Sequence, residues 1–366
     1  MTSEELNQIK IQEPSKEIYR RIRSEWDHMA KPLDGMGQFE ELTAQIGAIL
    51  ENVYPDISRK AVIVMCADNG IVEERVSQSG QEVTLAVSSF MGKNQTSVGK
   101  MATRIGADVI PVDIGINHGA QIEGVIDRKI AHGTKNFRKE PAMTESETLA
   151  AIQTGIEMAA YCKREGYQLL ATGEMGIGNT TTSSAVAAAL TGLPVEEITG
   201  RGAGLSDEGL RRKRNVIIEA LKKYDLRKEE TLRILMSVGG LDIAGLTGVF
   251  IGGAMYHLPV VLDGVISAVA ALAAERLKPG TRAYMIPSHK SKEPAAKQIL
   301  DELCLSPVID ASLALGEGTG AVMMFALLDM ALSLYQRQTT FSDIHVEQYR
   351  RYTKTQETKE TGEKSW

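Results

Sequence analysis

Residues 168–190 read QLLATGEMGIGNTTTSSAVAAAL: an apolar run, a glycine-rich turn and a helix-forming stretch in immediate succession. The run YQLLAT (167–172) has the character of a buried strand. Gly173, Gly176 and Gly178 place three glycines within six positions, and Asn179 to Thr182 open the next helix. Strand, tight turn and helix in that order are the repeating unit of a parallel sheet. Free amides at the start of such a helix, together with its dipole, favour an anion. The anion is not the end of a triphosphate. A GxxxxGK[ST] loop needs a lysine after its last glycine, and here Asn179 follows Gly178. The GxGxxG spacing of dinucleotide turns is absent too. A turn that serves only close packing of helix on sheet is the competing reading.

Working outward, the same alternation covers most of the chain. KAVIVMC (60–66), DVIPVDI (108–114), LPVVLD (258–263) and RAYMIP (282–287) read as further buried strands. Helical patterns lie between them, including SDEGLRRKRNVIIEALKKY, GVISAVAALAAERL and KEPAAKQILDEL, with Ser206 placed to cap the first of these. This predicts an α/β fold with a doubly wound, mainly parallel sheet. Residues 1–50 read as the helical N-terminal part of a small lobe and 51–320 as the α/β core carrying the site. Residues 321–350 read as the C-terminal helical part of the lobe, and 351–366 as a polar, mobile tail. Glycine turns such as 172–179, 200–205 and 315–320 cluster at expected strand ends, which is where open parallel sheets bind ligands.

Composition narrows the partners. The 366 residues carry a net charge of -6, without the basic footprint of a nucleic-acid binder. Cys66, Cys162 and Cys304 are odd in number and far apart, which fits a reducing, cytoplasmic setting better than a disulfide framework. The polar N-terminus does not read as a secretory signal. The apolar region around 255–275 is interrupted by His257, Pro259, Asp263 and Gly264, so no membrane span is expected there.

Three positions carry candidate chemistry. GRGAGLSDEGLRRK (200–213) is a second glycine turn opening a helix, with Lys213 two turns in. Side chains tilt toward a helix N-terminus, so Lys213 can serve the turn, or it can be one more solvated charge beside Arg211, Arg212 and Arg214. Two glycine turns and one lysine suit a monophosphate. In LALGEGTGA (313–321), Glu317 sits between glycines ahead of an apolar helix; it either faces a ligand or interacts with a helix dipole. Glu174, inside the first turn, has the same two readings.

In the same order along residues 30 to 335, ADNGIVEERVSQSGQEVT, GEMGIGNTTTSSAVAAALTG, GRGAGL with Lys213, GGLDIAGLTGVFIGGA, VLDGVISAVAAL, SHKSKEP and LALGEGTGAVM resemble the nicotinate-nucleotide–dimethylbenzimidazole phosphoribosyltransferase family. The resemblance implies a homodimer with a Rossmann-like α/β fold and a small lobe from both chain ends. It implies transfer of the phosphoribosyl group of nicotinate mononucleotide to a benzimidazole, releasing nicotinate, for the nucleotide loop of cobalamin, with no metal or cofactor. The anion at the opening turn would be a 5′-monophosphate. Gly176, Gly178, Gly202, Gly204 and Lys213 match the family's phosphate-binding positions, and Glu317 its catalytic base. Ser77 and the segment to Thr84 resemble the wall of the base pocket, with Met175 and Leu315 as apolar neighbours. Glu174, Asn179 and Thr180 fall in the substrate turn, and Asp242 and Asp263 match acidic positions near the substrates. The chain departs from the family pattern at Ala67-Asp68-Asn69-Gly70 and in lacking a proline near Ser79-Gly80. Those departures imply a somewhat different lower-ligand base. An ATP-dependent kinase has no lysine in the turn to support it, and a decayed regulatory protein would have lost Glu317 or Lys213.

Overall fold

A computed structural model of the chain describes residues 1–226 and 230–351. Among them, six strands form one parallel sheet: β1 (Lys60–Ala67), β2 (Asp108–Gly115), β3 (Ile126–Asp127), β4 (Leu169–Met175), β5 (Val260–Leu262) and β6 (Met285–Pro287), in spatial order β3-β2-β1-β4-β5-β6. All eight residues of β1 are buried. A parallel strand is buried this way when both faces of its sheet are covered, hence its unbroken apolar run. The direction of winding reverses between β1 and β4, and ligands of such sheets sit at that reversal, beyond the strands' carboxyl ends. The opening turn lies there.

β4 departs from the expected span. It runs on through Gly173, Glu174 and Met175, pairing with β1 as far as Cys66 and Met175, where the sequence suggested a turn from Gly173 onward. A side chain at Gly173 would clash with the Glu317 carbonyl, so this glycine admits a neighbouring loop to the sheet instead of bending the strand. Leu241–Met255, rich in glycine, is a helix with 14 buried residues, Leu241 to Ala254. It packs on the helix Glu145–Arg164 so closely that a side chain at Gly248 would overlap the Ile152 carbonyl.

The chain divides into two units. One comprises Met1–Pro14 and Asp56–Leu327 and holds the sheet; the other comprises Ser15–Pro55 and Leu328–Trp366. The helical unit is thus drawn from both parts of the chain flanking the sheet unit, but its boundaries differ from the expected 50 and 321. The first 14 residues go with the sheet, where the Tyr284 hydroxyl donates to the Gln12 carbonyl (2.9 Å) and Ser3 to Glu145 (2.6 Å). The later boundary falls inside the helix Thr319–Gln336. That helix is long and apolar enough to cross a membrane by length and composition, but 56% of it is buried in protein, as in a core helix. In the helical unit, buried Trp26 donates to Thr43 (2.9 Å) and stacks at a tilt on Tyr335. Arg351 was expected to begin the mobile tail. Instead its guanidinium bridges Asp27 and Asp34, and Arg351 with Arg23 holds the Asp34 carboxyl well below its usual range. The rest of the expected tail lies outside the described residues.

Candidate active site

A cavity of about 240 Å³ opens at the carboxyl ends of β4, β5 and β6. From the first turn it is lined by Glu174, Met175, Gly176, Asn179 and Thr180; from the second by Gly202 and Ala203. Asp263 enters after β5, and Leu315 to Glu317 close one side. Gly178 caps the helix Asn179–Thr191 with φ 97°, which a side chain tolerates poorly, and packs against Val72. It does not line the cavity, so the packing role described above for glycine turns applies at this position.

The other expected residues take supporting places. Lys213 is fully buried, and its Nζ donates to Thr180 Oγ1 at 3.0 Å, just beneath the cavity wall. It falls on the apolar stripe of its helix with Val216, Ile217 and Ala220, while Arg211 faces solvent. Among the described residues it has no carboxylate within ion-pair distance. Asp242 is fully buried behind Asn179, whose amide bridges from Glu174 to Asp242 (3.2 Å to the latter). The Gly204 carbonyl is taken by the Gln78 side chain, and Ser77 accepts from Ser79 N–H at 3.3 Å; neither lines the cavity. The segment 77–84 reaches the turn through Thr84, whose hydroxyl accepts from Ile177 N–H at 3.1 Å. Asn69, one of the departures noted above, is fully buried and accepts from Thr182 Oγ1 (3.0 Å), so it supports the turn from behind and does not shape the cavity. The sequence reading missed His289, Ser291 and Glu293, which line the cavity after β6. Their signal was polar side chains directly following a strand's carboxyl end, within SHKSKEP.

Burial sets the charges. Glu174 is pushed up to about 8, mainly by desolvation and then by the charge of Asp242, against the Asn179 hydrogen bond. Asp242 rises to about 6 by desolvation, restrained by the Ile243 N–H (2.9 Å) and Asn179. Desolvation also raises Asp263, opposed by His289 and by three backbone donors, Gly318 (3.2 Å), Gly320 (2.8 Å) and Ala321 (3.2 Å). Asp263 therefore ties the Glu317 loop to the end of β5. His289 is lowered by burial, against the pull of Asp263, and faces Ser288 Oγ at 2.9 Å. Lys213 drops to about 8 because it is desolvated, with Glu293 pulling the other way.

Glu317 has φ 62° and turns one carboxylate oxygen onto the Val98 N–H (3.1 Å), at the start of the helix Ser97–Arg104. Both readings of this residue thus meet in one place: it contacts a helix N-terminus, and it lines the cavity. Its second oxygen has no hydrogen bond among the described residues.

The fold and site define a phosphoribosyltransferase, and a family model described by that word matches residues 11–346. The nicotinate-nucleotide–dimethylbenzimidazole phosphoribosyltransferase of Clostridium acetobutylicum is 44% identical over 91% of this chain and 95% of its own. That of Ruminiclostridium cellulolyticum is 44% identical over 96% and 99%. The crystal structure of CobT from Thermus thermophilus superposes with a TM-score of 0.86 at 37% identity, covering 91% of this chain and all of that one. The chain belongs to the nicotinate-nucleotide–dimethylbenzimidazole phosphoribosyltransferase family.

Proposed function

We propose that the chain transfers the phosphoribosyl group of nicotinate mononucleotide to 5,6-dimethylbenzimidazole or a related base, with the substrate phosphate over Lys213 and Glu317 as the general base. One observation carries the assignment of the phosphate. Among the described residues a fully buried lysine makes a single side-chain hydrogen bond, to a neutral hydroxyl, directly under two glycine turns. An ammonium has three donors, and a buried cation without a counter-charge is costly until an anion arrives. The Gly176 and Gly202 backbone lines the same wall.

The chemistry follows from the substrates. The pyridinium nitrogen of nicotinate mononucleotide is cationic, so nicotinate leaves as a neutral ring without acid assistance. The attacking benzimidazole nitrogen gains nucleophilicity as its other nitrogen loses a proton. Glu317, oriented by Val98 N–H and with its other oxygen unbonded among the described residues, takes that proton, a role worth about 10²–10⁴-fold. Attack opposite to the leaving ring gives the α-ribotide. Glu174, pushed up to about 8 by burial, holds its own proton at neutral pH. The phosphate contacts fix the ribose for in-line attack. Incubation with nicotinate mononucleotide and a panel of benzimidazoles tests this directly. Equal amounts of nicotinate and α-ribotide are expected by mass spectrometry, and nicotinate without ribotide contradicts it.

We also propose a homodimer. Exposed apolar side chains support it, Phe90 (56% exposed) in the sheet unit and Met330 (61%) in the helical unit. A sedimentation mass of twice 39.8 kDa is expected; the single-chain mass contradicts it.

A further inference from the structure

Glu293 is a residue of the cavity to which the reaction assigns no role. It follows β6 and stands just before Pro294, which caps the helix Ala295–Glu302. Its Oε1 accepts the Gly202 N–H at 3.1 Å, and its carboxylate lies so close over Gly200 that a side chain there would collide with it. Thus a negatively charged group already rests on the backbone of the second glycine turn, on the cavity wall that also holds Gly176 and Thr180. The main chain around it is pinned, Lys290 N–H to the Ile309 carbonyl (2.9 Å) and Lys292 N–H to the Leu313 carbonyl (3.0 Å). The side chain is held more lightly. The Gly202 contact is its one hydrogen bond among the described residues, and no lysine or arginine pairs with it. It comes near enough to Lys213 to oppose the loss of the lysine's charge, yet not within ion-pair distance.

A carboxylate and a phosphate cannot share one small backbone cradle, because like charges at that range repel. We propose that Glu293 is an internal anion that occupies the phosphate cradle of the unliganded protein and is displaced by the 5′-phosphate of the substrate, which makes it a specificity-determining residue favouring a dianionic phosphate over weaker anions. This rests on reading Lys213 and Gly202 as the phosphate site. A singly charged anion offers Gly202 and Lys213 little more than Glu293 already does at that turn. A dianion with three acceptor oxygens engages both at once and can drive the side chain out by rotation about its own bonds. The apparent affinity for phosphate is then reduced in proportion to the fraction of molecules in which the cradle is free.

The test compares wild type, Glu293→Gln, Glu293→Ala and Lys213→Met, each first checked by thermal melting. Calorimetric titrations use inorganic phosphate, nicotinate mononucleotide and the corresponding riboside, which lacks the phosphate, at fixed ionic strength. Removing the internal competitor should tighten phosphate and mononucleotide binding about three- to tenfold. Riboside binding should stay unchanged, and KM for the mononucleotide should fall with kcat retained. Damage to a purely structural contact would move affinity in the other direction. Phosphate binding that is unchanged or weaker in both Glu293 variants, while Lys213→Met still loses affinity, overturns the proposal. Weaker riboside binding overturns it as well, because Glu293 would then be holding the ribose. If Lys213→Met binds phosphate as wild type does, the cradle itself is misplaced, and that failure is distinguishable from the first two.

Discussion

Replacing Lys213 with methionine should leave the protein at least as stable and make it a worse enzyme. Methionine keeps most of the lysine stem's volume, so the fully buried site does not empty. Burial holds the Lys213 amine at about 8 against its ordinary 10.5. At 1.36 kcal/mol per pKa unit this sets the cost of keeping the cation there at roughly 3 kcal/mol, an upper bound on what the variant can recover. Thr180 loses a hydrogen bond from an ammonium, worth about 1.5–3 kcal/mol. The expected net gain is up to about 1.5 kcal/mol, a melting temperature without ligand at or above that of wild type. Binding moves oppositely: a hydrogen bond to a charged group is worth about 1.5–3 kcal/mol, so affinity for nicotinate mononucleotide should fall about 10- to 140-fold. Thermal melts without phosphate and calorimetric titration on the same preparation read both numbers. A variant that binds the mononucleotide as tightly as wild type would refute the phosphate assignment, whatever its stability.

Proton linkage gives a second prediction. Glu174 ionises near 4.5 in the unfolded chain and near 8 when folded, so the folded protein binds the extra proton between those values. Its contribution to stability is complete below about 4.5 and lost as pH rises through about 8; Glu174→Gln, which cannot ionise, should gain on wild type in melting temperature across that window and run parallel above it. The same reasoning applies to Lys213 in binding: as pH passes about 8 the free protein loses its phosphate partner, so kcat/KM for the mononucleotide should decline there, and the decline should be shallower in Lys213→Met, where of this pair only Glu174 still titrates. Asp263→Ala leaves three buried N–H groups of the Glu317 loop without their acceptor. It should cost about 1–3 kcal/mol in urea unfolding and lower turnover as the loop loosens.

How much of this was legible depends on what each residue was needed for. β1 could be read because a strand covered on both faces needs an unbroken apolar run, and β2 from the shorter run VIPV (109–112). Gly173 misled, since a glycine that admits a neighbouring backbone looks the same in sequence as one that makes a turn. The glycines of Leu241–Met255 hid a buried helix for that reason. The position of Lys213 was in fact encoded: it shares the three-and-four spacing of Val216, Ile217 and Ala220, which outweighs the three arginines beside it. Glu317 was visible as a carboxylate among glycines, but its bond to Val98, 219 residues away, could not be read from local pattern. Nor could the contact of Glu293 with Gly202, which exists only because the segments after β4 and β6 reach the same cavity.

The central claim is that Glu317 removes the benzimidazole proton, and single-turnover measurement on Glu317→Gln tests it most directly. Glutamine keeps the acceptor for Val98 N–H and the shape of the loop, but it does not take up a proton. With nicotinate mononucleotide and dimethylbenzimidazole both bound and the fold intact, α-ribotide formation should slow by about 10²–10⁴-fold. A rate within tenfold of wild type, from a folded variant that binds both substrates, would contradict the account and move the search for the base to Glu174.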